Sequence, residues 1–338
     1  MKRFKVCGLG NAIVDIFLQL SEDEFASLGF ERGTMRLVEM DDQKRLLGMF
    51  QKHEPKLVSG GSVANSIIAF SQLGGSAAFI GCVGDDRYGL FYANEFEELG
   101  IDIGNPIIVN EATGTSVCIV TPDAERTMRT CLAVASHLAE RHIDEERIRD
   151  SEWLFIEGYV FANPATGQTA IREAIRIAKQ HGTKVAITCS DAFIPKVFPE
   201  PLHAALREAD LFFCNESEAC AITGASNAEE AFVKLNGRVP SVIVTNGPYG
   251  AYVRHTGTEA HVPSFPCEPK DLTGAGDMFA GGYLYGITHG VSPERAARGA
   301  AYLAQKVITQ VGARLHSGTR EYWEEAMEFG RSNSAGER

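Results

Sequence analysis

What this chain lacks narrows its function before any motif is considered. Basic residues are the minority, with 32 Lys and Arg against 44 Asp and Glu and a formal charge of −12. Binding to nucleic acid or to an anionic bilayer draws on clustered Lys and Arg, so neither is an expected partner. The eight cysteines contain no CxxC pair and the nine histidines no HxxxH pair. Those residues therefore offer no metal-ligand spacing, and the cysteines read as buried thiols of a reducing cytosol. GxxxxGK[ST] is missing, which excludes a P-loop enzyme. Gly8-Leu-Gly10 opens like a dinucleotide fingerprint, but Ile13 stands where its third glycine belongs. No stretch is long and apolar enough to span a bilayer. The basic start MKRFK precedes an apolar run that Asn11 and Asp15 interrupt, which argues against a secretory leader. There is no Pro/Ser/Gly linker, internal repeat or low-complexity tract. A cytoplasmic protein with one α/β domain over residues 1–330 and a frayed tail over 331–338 is expected.

What is present is an alternation of short apolar runs with helix-type segments, the pattern of a mostly parallel sheet covered by helices on both faces. Strands are expected at 5–10, 77–83, 153–156, 184–188, 211–214 and 241–245. Helices are expected at 62–73, 88–99, 165–180, 217–222 and 228–235, where apolar residues recur at three and four. Segments 13–20 with 34–38, and 107–109 with 116–121 and 127–132, read as strands without long helices between them. They are expected to pair into a small separate sheet, a lid drawn from about 11–39 and 106–132 over one edge of the main sheet.

The strongest chemical signal is Asp271-Leu-Thr-Gly-Ala-Gly-Asp277, which leads into a helix-like run. Gly274, Ala275 and Gly276 can expose backbone N–H groups at a helix start, a ready site for an oxyanion. An aspartate beside a phosphate site needs a reason, and Asp277 could take the proton of a hydroxyl attacking that phosphate. The bland alternative is an Asp that only caps the helix. Ser59-Gly60-Gly61-Ser62-Val-Ala-Asn65 enters a second helix, where Asn65 offers donor and acceptor to vicinal hydroxyls, and Asp15 after Gly10-Asn11 adds an acceptor. Taken alone, these read equally as an N-cap at Ser62 and a turn Asp. Asn215-Glu-Ser-Glu218 falls where a strand yields to a helix, the usual ligand side of an open α/β sheet. A carboxylate there can hold Mg²⁺ through water, or simply cap a helix. Thr245-Asn-Gly247 ends another strand in a tight turn.

In this order the motifs resemble the ribokinase-like (PfkB) carbohydrate kinase family, from GNAIVDI through SGGSVANS and NESEA to DLTGAGDMFAGG and VGARL. The resemblance implies a three-layer α/β fold with a mostly parallel central sheet and a small β-sheet lid. It implies ATP as donor, Mg²⁺, Asp277 as base and Gly274-Ala275-Gly276 as anion hole. Asn215 and Glu218 would organise Mg²⁺ and phosphate, with Glu218 reaching the metal through water. Asn11, Asp15, Gly60, Gly61 and Asn65 would bind the acceptor, and Thr245, Gly247 and Thr273 the nucleotide. Members often bind a monovalent cation such as K⁺ near this loop, which points to Asp271.

GNAIVDI, SGGSVANS and ERTM are most similar to the adenosine kinase-like branch, so the expected acceptor is the 5′-hydroxyl of a nucleoside, adenosine first. That branch implies Arg126 of the lid near the phosphate and an aromatic over the base, here Tyr159. Leu272 departs from the small polar residue or Pro common in the family, which puts local nucleotide contacts in doubt. A sugar kinase for ribose, fructose or a sugar acid is the runner-up, and a catalytically silent sensor the rival from another class. Either a monomer or a homodimer through the lid is expected.

Overall fold

Strands that are apolar on every residue need cover on both faces, and this chain supplies it. In the computed structural model, which describes residues 2–104, 107–123 and 125–332, Cys7, Leu9, Leu154, Ile156, Val185 and Ile187 point into one core. Val6, Trp153, Phe155 and Ala186 point into the other. The period of two along each strand thus feeds two hydrophobic layers. Helices Gly167–Gln180, Pro199–Glu208 and Ala228–Lys234 cover the first face. Ser62–Gln72, Arg87–Glu98, Ala275–Thr288 and Pro293–Ile308 cover the second.

The central sheet has nine strands, ordered Thr258–Val262, Ala251–His255, Val242–Thr245, Leu211–Asn215, Lys184–Thr188, Ser151–Glu157, Phe4–Leu9, Ala77–Ile80 and Asp102–Ile103. Ala251–His255 pairs antiparallel with both of its neighbours, and the other pairings are parallel. Chain order reverses at Phe4–Leu9, so a crevice opens beyond the carboxyl ends of the parallel strands. Asn11, Glu157, Asn215 and Thr245 all stand at such ends.

A five-stranded sheet rises beside that crevice, ordered Met35–Leu37, Arg126–Cys131, Gly114–Val120, Ile13–Gln19 and Lys56–Gly60. Ile16, Leu18, Val117 and Ile119 pack on Phe25, Leu46 and Phe50. Alternation then turns Asp15, Phe17 and Gln19 to the opposite face, toward the crevice.

Two expectations about this sheet differ from what is observed. Ile107–Ile108 pairs with Val83–Gly84 in a separate two-stranded ribbon and not with the small sheet. Lys56–Gly60, absent from the expected strands, closes the sheet antiparallel to Ile13–Gln19. The helix Thr319–Ser332 runs into the expected tail, whose remainder lies outside the described residues. No helix among the described residues is long and apolar enough to cross a membrane.

Candidate active site

Gly274 opens the Ala275–Thr288 helix with a φ of +78°, and a Cβ on it would collide with the carbonyl oxygen of Ala313. Glycine meets both demands. The first-turn N–H groups at 276 and 277 have no helical carbonyl to bond. They belong to the wall of a cavity of about 200 Å³ that also includes Ser62, Asn215, Glu218 and Thr245. A Cβ at position 276 would meet no atom within 4 Å, so the turn is open on that side. Free amides, a positive helix end and open space are the features by which a helix start can receive an oxyanion.

Asp277 is the third residue of that helix. Ser62 Oγ donates to its Oδ1 at 2.6 Å and Asn65 Nδ2 to its Oδ2 at 3.0 Å. Burial raises its pKa to about 6, against the lowering effect of those two hydrogen bonds. The alternative reading of Ser62 as an N-cap does not hold: Gly61 occupies the cap, and the Ser62 hydroxyl serves Asp277 instead.

Asn65 is oriented from behind by Arg314, whose Nε donates to Asn65 Oδ1 at 3.2 Å while its Nη1 reaches Glu95 at 3.1 Å. With its oxygen on a guanidinium, the amide can present only its NH₂ to Asp277. Glu157 is 1% exposed and accepts from Val63 N at 3.1 Å and Asn11 Nδ2 at 2.8 Å, so it anchors the start of the Ser62–Gln72 helix. Burial pushes its carboxyl up to about 7. Neither Arg314 nor Glu157 is singled out by the sequence motifs, although Arg314 lies inside VGARL and Glu157 ends the apolar run WLFIE.

Asn65 also borders a second cavity, of about 840 Å³, between the central and small sheets. Asp15, Phe17, Val120, Arg126 and Val311 are in its wall. Among the described residues no hydrogen bond reaches the Asp15 carboxylate, and its pKa rises to about 6. Burial is the main cause, opposed by Arg314 and Arg126 and reinforced by Asp277. Gly61, at φ +108°, lets this segment press on the Asn11 carbonyl, where a Cβ would clash.

Glu218 and Asn215 form a reciprocal capping box: Asn215 N and Nδ2 donate to the carboxylate, each at 2.9 Å, and Glu218 N donates to Asn215 Oδ1. Burial raises Glu218 to about 7. Among the described residues no cluster of three or more His, Cys, Asp or Glu could hold a metal ion. Mg²⁺ suits such a place, because it keeps several waters and takes phosphate oxygens with one or two carboxylates.

Residues 34–320 match the family described as pfkB family carbohydrate kinase. The chain belongs to this family. A curated relative, the ribokinase of Haemophilus influenzae, is 29% identical over 283 residues, covering 81% of this chain and 88% of that protein. The solved adenosine kinase of Sinorhizobium meliloti is also 29% identical, with a TM-score of 0.85 over 96% of this chain and 99% of that one. A putative ribokinase II from E. coli, solved with ATP and Mg²⁺, shares the fold at a TM-score of 0.76 and 23% identity, over 97% of this chain and 99% of that one. The three-layer architecture is therefore the ribokinase-like fold. As a PfkB kinase the protein is a phosphotransferase with an alcohol acceptor.

In this PfkB kinase the structure gathers Asp277, Gly274, Ala275, Gly276, Asn215, Glu218 and Thr245 around the smaller cavity, and Asp15, Asn65 and Arg126 around the larger. Gly60 lies against the Asp15 carboxylate, Gly61 against the Asn11 carbonyl, and the Asn11 side chain reaches Glu157; these three predicted acceptor contacts are not in the wall of the larger cavity. Tyr159 stands apart. It borders neither cavity and turns its hydroxyl to Asp191 at 3.4 Å, while Phe17 is the aromatic in the larger wall. Gly247 sits exposed in a 3₁₀ turn, and Thr273 donates its N–H to Asp271. Asp271 in turn pairs with Arg126 at 3.0 Å.

Proposed function

We propose that this kinase transfers the γ-phosphate of ATP to the 5′-hydroxyl of a nucleoside, adenosine before others. The observation that carries this reading is the composition of the 840 Å³ cavity. Near Asp277 its wall holds Asn65 and Asp15, suited to the hydroxyls of a ribose. Elsewhere it holds Phe17, Val120, Val311 and Leu315, an apolar surface suited to a flat heterocycle. A free pentose would leave most of that volume unfilled.

Asp277 then takes the hydroxyl proton, and the turn Gly274-Ala275-Gly276, with its free helix-start amides, receives the charge of the transferring phosphoryl group. Phosphoryl transfer has a loose transition state, so this positioning and neutralisation supply most of the rate. Mg²⁺, when bound with the nucleotide, would neutralise phosphate charge, with Glu218 holding its water. Asn215, Thr245, Gly247 and Thr273 are the proposed nucleotide contacts. Among the described residues Arg126 Nε and Nη2 have no partner, donors that a phosphate oxygen could take. Closure of the small sheet would exclude water.

The test is ADP formation from Mg-ATP with adenosine, other nucleosides, ribose and fructose. Adenosine should be turned over well above either sugar, and Phe17→Ala should raise KM for adenosine while leaving the sugars unchanged. Turnover confined to a free sugar or sugar acid would overturn the acceptor. That second reading draws on His53, Lys56, Gln72 and His316, polar groups in the same wall.

A further inference from the structure

Asp271 is the carboxylate that the resemblance reserves for a monovalent cation, and its surroundings do not fit one. Its Oδ1 accepts from Thr273 N at 3.0 Å, and its Oδ2 accepts from Gly312 N at 2.8 Å and pairs with Arg126 Nη1 at 3.0 Å. The two side chains are 6% and 9% exposed. A metal ion on the same carboxylate would stand within a few ångströms of a guanidinium that water barely screens.

The carboxylate also has a task at that place. By holding Thr273 N and Gly312 N it ties the loop before Gly274 to the segment whose Ala313 carbonyl presses on Gly274. A negative charge is thus built in beside the phosphate-binding turn, where, left bare, it would repel the group that the turn receives. Something positive must accompany it. Arg126 comes from the small sheet, opposite Val120 in register, with its guanidinium 4.8 Å from the centre of the Phe17 ring, which stands on Ile13–Gln19 beyond the Gly114–Val120 strand.

We propose that Arg126 is the resident counter-cation of Asp271, so that the small sheet supplies in cis the charge a monovalent metal ion would otherwise bring, and the protein works without that ion. Arg126 acts here through Asp271 and is a positioning residue in this role. Its remaining donors stay available for phosphate.

The test uses the full chain, wild type and with Arg126→Gln or Asp271→Asn, at one ionic strength while choline chloride is replaced stepwise by KCl. Both thermal unfolding and Mg-ATP turnover are read. The activity arm rests on the proposed acceptor, whereas the unfolding arm does not, so failure of one reading is told from failure of the other. Wild type should be indifferent to the exchange in both readouts. Arg126→Gln should have a lower Tm with choline, as expected when one partner of a buried pair is removed, and lose about tenfold or more in rate. KCl should restore part of the rate and raise its Tm, whereas Asp271→Asn should respond to neither salt. An arginine that only gripped the transferred phosphate would also lose rate when replaced, but potassium would not repair it. A wild-type rate or Tm that climbs with KCl, or an Arg126→Gln protein that ignores KCl, overturns the proposal. If Arg126→Gln does not fold, Arg126→Lys takes its place: it keeps the charge and must ignore KCl, and sensitivity overturns the proposal.

Discussion

Asp277 owes its pKa of about 6 to opposed influences, burial upward and the hydrogen bonds of Ser62 and Asn65 downward. A base must be ionised to accept a proton, so kcat/KM should be level above about pH 7 and fall as pH drops through about 6. Ser62→Ala removes one lowering influence and should move this acid limb to higher pH. A Ser62 that only shaped the helix start would leave the limb in place. Asp277→Asn should reduce kcat by on the order of 10³ with little change in acceptor KM, measured by ADP release with circular dichroism as the folding control. Asp277 and its glycines are legible in the sequence because the motif that marks them lies within seven consecutive residues, 271 to 277. Arg314 and Glu157 are not, since their meaning comes from partners 249 and 94 positions away.

At the scale of elements, the start of the Ala275–Thr288 helix separates two demands made on glycine. Gly274 needs a positive φ and has no room for a Cβ, whereas Gly276 has open space where its Cβ would be. Gly274→Ala should therefore destabilise the fold by roughly 1–3 kcal/mol or more in urea unfolding. Gly276→Ala should unfold like wild type and still lose turnover, because its methyl group would intrude on the anion site. Equal stability losses in both variants would contradict this division. Strands buried on both faces were readable as apolar runs, and helices from their spacing of three and four. Lys56–Gly60 escaped because KLVSG carries little apolar pattern and becomes a strand only beside Ile13–Gln19. The two residues Ile107–Ile108 hold no register information of their own, and tertiary packing assigned them to Val83–Gly84.

For the molecule as a whole, the site is a concentration of carboxyls that burial makes reluctant to ionise. Asp15 and Asp277 are raised to about 6, and Glu157 and Glu218 to about 7. Their folded pKa values exceed the unfolded ones, so between about pH 4 and 7 the native state binds more protons than the unfolded chain. The stability they contribute is complete below the unfolded values and is lost as pH rises through the folded ones. Tm should fall from about pH 5 to about pH 8, and Glu157→Gln should make that fall shallower. A Tm that rises over this range, or an unchanged slope in the variant, would contradict the sign. The layers of the fold were legible because burial on two faces leaves a repeating trace in the sequence. The pairing of the small sheet with the body was not, since ion pairs such as Arg126 with Asp271 join residues that no local pattern connects.

Asp277 stands in the partition between the two cavities: Ser62, holding one of its oxygens, borders the smaller, and Asn65, holding the other, borders the larger. With the nucleotide in the smaller cavity and the acceptor in the larger, as proposed, the two reactants would meet at Asp277 from opposite sides. A single molecule that fills both chambers has to pass the carboxylate, so the length and charge of its connecting segment, more than either end group, decide whether it fits.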